Sequence, residues 1–110
     1  MSRGLALLIL FACACLEAGG DALVRRGMHS GAGSTRAALY LAAAVVLFAY
    51  GWLVNRPPWS FGSLLGVYIV LFFVVAQAVS WVIFDERPGA HILIGGALIL
   101  TGGLIIAARA

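Results

Sequence analysis

This sequence predicts an all-α membrane protein, a bundle of four transmembrane helices. Three observations carry that expectation. Of the 110 residues, 64% are hydrophobic and only 10% charged, whereas a soluble domain carries about 25% charged residues. The apolar residues, with a mean hydropathy of +1.09, collect into four runs at 5–24, 37–54, 61–84 and 92–108. About 20 such residues cross a hydrocarbon core of about 30 Å. Each run is continuous instead of alternating, which excludes the pattern of a membrane β-barrel. A single four-helix domain, multi-pass in an inner or plasma membrane, follows.

The first run opens with Arg3 and "LALLILFACAC", the outline of a signal peptide. It continues to Val24, so an uncleaved transmembrane helix is the expectation. Cys13 and Cys15 are two apart and point to nearly opposite sides of a helix, which suits neither a mutual disulfide nor a metal site. They read as small apolar residues. The unusual members are Glu17 and Asp21. A carboxylate near the bilayer centre costs roughly 2.5–3.5 kcal/mol on insertion scales, and such residues are functional by default. On a helix both acids share a face with Leu10, Cys13, Ala14, Gly20 and Val24. Asp21 lies one turn before Arg25, so an Asp21–Arg25 pair at the membrane edge is expected. Glu17 is deeper, without a countercharge in any span. A carboxyl of that kind can exchange a proton for a cationic ligand; the plainer alternative is a neutral Glu17 hydrogen-bonded to a neighbouring helix.

The second run carries Tyr50 and Trp52, which with Trp59 mark one membrane edge, while Trp81 and Phe84 mark the other. In the third, Tyr68, Phe72, Val75 and Val79 fall on one face and Gln77, Ser80, Trp81 and Phe84 on the opposite one. Tyr68, Gln77 and Trp81 are thus candidate ligand contacts that one cavity cannot easily combine, and each also reads as packing. The fourth run, "IGGALILTGGLII", spaces Gly95 and Gly102, and likewise Gly96 and Gly103, seven apart. Such a stripe lets helices approach closely, within the chain or across a dimer.

The connections "RRGMHSGAGSTR", "NRPPWS" and "DERPGAH" join Arg to Gly, Pro or Ser, as short turns between helices do. Four spans place Arg25, Arg26, Arg36 and Arg87 on one side and Arg3, Arg56 and Arg109 on the other. A difference of one charge is a weak orientation signal. It predicts insertion with the termini outside or in both orientations, and chains that insert both ways can pair antiparallel. His29 and His91 fall in loops on one side and read as solvated; a metal pair is the minor alternative. There is no phosphate-binding glycine loop, cofactor motif, Ser/His/Asp set or metal-ligand cluster. An enzyme and a nucleic-acid-binding protein are therefore not expected.

Glu17-Ala18-Gly19-Gly20, Tyr50-Gly51-Trp52-Leu53, Phe61-Gly62, Tyr68, Arg87-Pro88 and Ile94-Gly95 together resemble the small multidrug resistance family of the drug/metabolite transporter superfamily. The likeness is closest to its YnfA-like relatives, and it runs through all four spans in order. It implies a dimer, antiparallel and of identical chains or of two related ones. Such a dimer exports small cationic or hydrophobic compounds by proton exchange within the lipid bilayer. By position Glu17 matches the family's essential membrane glutamate, and Tyr68 matches an aromatic residue of the drug site. The resemblance also assigns Gly95 and Gly102 to the dimer contact. Departures from the multidrug members are Leu65 in place of a Tyr, Val70 and Phe72 in place of glycines, and the added Asp21. The rival expectation is a non-transporting structural or accessory subunit of a membrane complex.

Overall fold

The computed structural model describes residues 1–110, which form four α-helices and no strand. They are α1 (Arg3–Met28), α2 (Gly33–Val54), α3 (Phe61–Phe84) and α4 (Ala90–Ala107). All four are long and apolar enough to cross a membrane. The chain is a multi-pass membrane protein.

The helices do not stop where the apolar runs stop, because hydropathy marks what lies in hydrocarbon and capping marks where helix ends. Ser2 extends α1 at its start: its Oγ accepts the Leu5 N–H at 3.1 Å, satisfying one of the unpaired first-turn donors. At the other end Arg25 and Arg26 sit in the last turn, where cations complement the helix dipole. His29 Nδ1 closes that turn on the Arg25 carbonyl at 2.8 Å. α2 likewise starts one turn before its apolar run, and Arg36 holds its beginning by donating to the Ser30 carbonyl at 2.6 Å. α3 covers the same residues as the third apolar run. It ends at Asp85, the one non-glycine residue in the left-handed region (φ 54°), a conformation Asp tolerates better than most side chains. The N–H of Glu86 then returns to the Ser80 carbonyl at 3.0 Å. That turn aims the Glu86 carboxylate back toward α1.

Packing is uneven. α1 packs on both α2 and α3, and α4 packs on α3 alone. The smallest dimension of the molecule is 18 Å, less than two helix diameters of about 10–12 Å. The core is the α1–α3 seam, with Leu10, Cys13, Ala14, Leu64, Val67 and Tyr68 all at most 4% exposed. α2 and α4 each bury only two residues: Ala43 and Val54, and Gly96 and Gly103. Several of their other apolar side chains, among them Leu41, Phe48, Leu98 and Ile105, are exposed. Such faces suit lipid or a second membrane chain.

Glycines set the close approaches. A Cβ on Gly20 would lie 2.6 Å from Leu47 Cδ2 of α2. One on Gly96 would lie 2.6 Å from Phe73 Cε1 of α3, and one on Gly103 would overlap Val70. The fourth helix therefore carries two glycine rows, not one. Gly96 and Gly103 face α3, whereas a Cβ on Gly95 or Gly102 would meet nothing within 4 Å.

Candidate functional site

The acid of α1 and the aromatic of α3 meet. Tyr68 Oη donates a hydrogen bond to Glu17 Oε1 at 2.7 Å, joining residues 51 apart in sequence. The approach is possible because the α1 face beside Glu17 is made of small residues, Cys13, Ala14 and Ala18, all buried. Tyr68 itself is 4% exposed, so its phenol is fixed by packing and its hydroxyl needs a partner. Tyr50 of α2 lies against Tyr68 with ring centroids 5.6 Å apart, and Phe72, one turn along α3, stacks with Tyr68 at 6.0 Å. Rings from α2 and α3 thus meet at Tyr68, which carries the bond to the α1 carboxyl.

Chemically, the bond from Tyr68 occupies only one carboxyl oxygen. A carboxylate accepts at both oxygens, and a protonated carboxyl still accepts at its carbonyl oxygen. The Tyr68 bond is compatible with either state, which leaves Oε2 as the position where a proton or a cation can be held. Glu17 is partly exposed, in contrast to its buried neighbours Cys13 and Ala18.

Asp21 is placed differently from the local expectation. Arg25 forms its ion pair with Glu86, at 3.5 Å, and not with Asp21. The helical spacing permitted the local pair; the α3 terminal turn supplies a competing carboxylate and wins. Arg25 and Arg26 also lie over the Phe84 ring, at 5.3 and 6.0 Å from its centroid. Asp21 instead lines a groove of about 220 Å³ between α1 and α3, with Ala18, Ala22, Phe72, Ala76 and Ser80 along it and Arg25, Phe84 and Glu86 at its outer end.

Gln77 and Trp81 are not brought to Glu17. Gln77 lines a second groove of about 260 Å³, between α3 and α4, with Phe73, Pro88 and Gly96. Trp81 is 51% exposed, with the Arg87 guanidinium 5.7 Å from its ring centroid, an arrangement suited to the membrane edge. Ser80 and Phe84 share a helix face with Gln77 in sequence but open onto the Asp21 groove. The face is wide enough to border both grooves. Tyr50 is the residue that spacing did not single out. The sequence sets it at the membrane edge with Trp52 and in the Tyr50-Gly51-Trp52-Leu53 motif; Trp52 is indeed 59% exposed beneath Arg56, but Tyr50 turns inward onto the core.

Over 65 residues the chain is 37% identical to a UPF0060 membrane protein of Herpetosiphon aurantiacus, and is a distant relative of it. The match covers 57% of this chain and 59% of that protein, so less than two thirds of the relative's length is represented. No family model matches the sequence. No solved structure matches it either.

Proposed function

We propose that the chain is a proton-coupled exporter of small cationic or hydrophobic compounds, working as a dimer in an inner or plasma membrane. Glu17 is the group that exchanges a proton for substrate, and Tyr68 holds its carboxyl. The observation that carries this reading is the 2.7 Å bond from Tyr68 to Glu17, inside a span and far from any countercharge. It joins the two residues that the resemblance to the small multidrug resistance family had singled out independently.

Three features support a dimer. The subunit is only 18 Å thick, two of its four helices bury almost nothing, and Gly95 and Gly102 present an open face. The single-charge difference between the two sides supports insertion in both orientations, and hence an antiparallel pair. Reporter fusions at Ala110 are expected to be active on both sides of the membrane; activity on one side alone removes the antiparallel pair.

One observation favours a second reading. An interhelical hydrogen bond to Glu17 is also what a structural or accessory subunit would use, and in this chain Tyr68 donates it from within the same chain. Uptake into proteoliposomes driven by a pH gradient separates the two. The transport reading expects gradient-dependent uptake of a hydrophobic cation such as tetraphenylphosphonium, abolished by Glu17→Gln in a protein that still folds. Uptake equal in both proteins and in empty vesicles supports the accessory reading.

A further inference from the structure

The groove between α3 and α4 is apolar except for one side chain. Phe73, Val74, Leu93 and Leu100 wall it, Ala97 leaves it open, and Gln77 is its polar member. The Gln77 carboxamide makes no hydrogen bond within the chain. Hydrocarbon holds no water to satisfy it, so an amide inside a span calls for a partner. From Gln77 a column of side chains leads to the membrane edge. Trp81 lies one turn, about 6 Å, beyond it on the same face of α3, and the Arg87 guanidinium is 5.7 Å from the Trp81 ring centroid. Pro88, next in sequence, lines the groove again. Arg87 is exposed and forms no ion pair, because the pair at this turn joins Arg25 to Glu86. Asp85, two residues before Arg87, is likewise exposed and unpaired. The turn at the outer end of the groove thus carries one cation and one anion without partners.

We propose that this groove seats a zwitterionic phospholipid of the surrounding bilayer, with an acyl chain along the apolar walls, its glycerol ester at Gln77 and its phosphate at Arg87. The order of groups matches. Such a lipid runs from apolar tail to ester carbonyls, which only accept hydrogen bonds, and then to phosphate. The groove runs from apolar walls to an amide N–H donor, and then to a guanidinium, whose paired N–H groups suit phosphate oxygens. Basic side chains at the ends of membrane helices hold lipid headgroups in this way. A headgroup with a phosphate alone would leave Asp85 without a partner, whereas one that also carries an ammonium complements both charges. A second copy of the chain fits less well. A helix is about 10–12 Å wide and would lie over a cleft of about 260 Å³, and its backbone carbonyls, already bonded, give Gln77 little to donate to. Tyr68 is on the other face of α3, so the seat does not depend on proton exchange at Glu17.

Native mass spectrometry of the purified full chain, released from detergent micelles carrying dioleoyl phosphatidylethanolamine, tests the seat. One retained lipid per subunit is expected, saturating as the lipid content rises. Dioleoylglycerol, which has the same chains and no phosphate, should not be retained, and phosphatidylglycerol should be retained less. Arg87→Gln is expected to lower retention about tenfold, the loss of a charge-assisted hydrogen bond, and Asp85→Asn to remove the preference over phosphatidylglycerol. Ala97→Phe fills the groove with both charges in place and should abolish retention; Arg87→Gln, in an exposed turn, decides the matter if Ala97→Phe does not fold. No retention by the native chain overturns the proposal, as does equal retention of dioleoylglycerol or phosphatidylglycerol. So does retention unchanged in Arg87→Gln or Ala97→Phe. Dimers turned to monomers by Ala97→Phe with the lipid still retained would give the groove to a second copy instead.

Discussion

The α1–α3 seam and the outer face of α4 are built from similar small residues, yet they do opposite things. At the seam, Cys13, Ala14 and Ala18 are buried and let Tyr68 close onto Glu17. On α4, Gly96 and Gly103 close onto Phe73 and Val70, while Gly95 and Gly102, each displaced by one residue, meet nothing. A step of one residue is about 100° of helix, enough to turn a packed row into an open one. Small residues are therefore not one signal. What they mean depends on whether a large side chain from a neighbouring helix reaches them.

The largest effect expected from this contrast is at the inward row. Gly103→Leu would force its side chain into the β-branched Val70, which has few ways to yield. Overpacking of this kind costs about 1–3 kcal/mol or more, and thermal unfolding in detergent should drop accordingly. Replacing both Gly95 and Gly102 by Leu should leave that unfolding nearly unchanged and convert dimers to monomers in mild detergent. If the outward pair destabilises the subunit as much as the inward one, the two rows are not distinct. If dimers persist, the open row is not the contact.

The Arg25–Glu86 pair should give the smallest effect. Both side chains are more than half exposed, and exposed pairs contribute about 0–1 kcal/mol. Glu86→Gln is thus expected to shift unfolding by about 0.5 kcal/mol or less. A larger loss would mean that the pair fixes the α3–α4 turn against α1 and belongs with the core.

The sequence made the four spans legible because twenty apolar residues in a row have few other uses. The helix ends were less legible: Ser2, Arg25, Arg26 and Asp85 act through local hydrogen bonds and dipoles that hydropathy does not register. Glu17 stood out on cost alone, since a carboxylate in a span demands an explanation. Its partner did not. Tyr68 lies 51 residues away, no periodicity links the two, and only the family resemblance put them together. The expected Asp21–Arg25 pair shows the reverse error. A spacing rule for one helix cannot know that a turn from another helix, shaped by the left-handed Asp85, delivers Glu86 to the same guanidinium. The two glycine rows were visible as residues, but which row faced inward depended on where Val70 and Phe73 point.

The central claim is that Glu17, held by Tyr68, trades a proton for a cation, and proton release on adding tetraphenylphosphonium to the weakly buffered, purified protein tests it most directly. The account predicts release from the native chain, none from Glu17→Gln, and release with weaker cation affinity from Tyr68→Phe, which keeps the carboxyl but loses the bond that orients it. Release that persists in Glu17→Gln and disappears in Asp21→Asn would contradict the account and move the exchanging carboxyl one turn along α1.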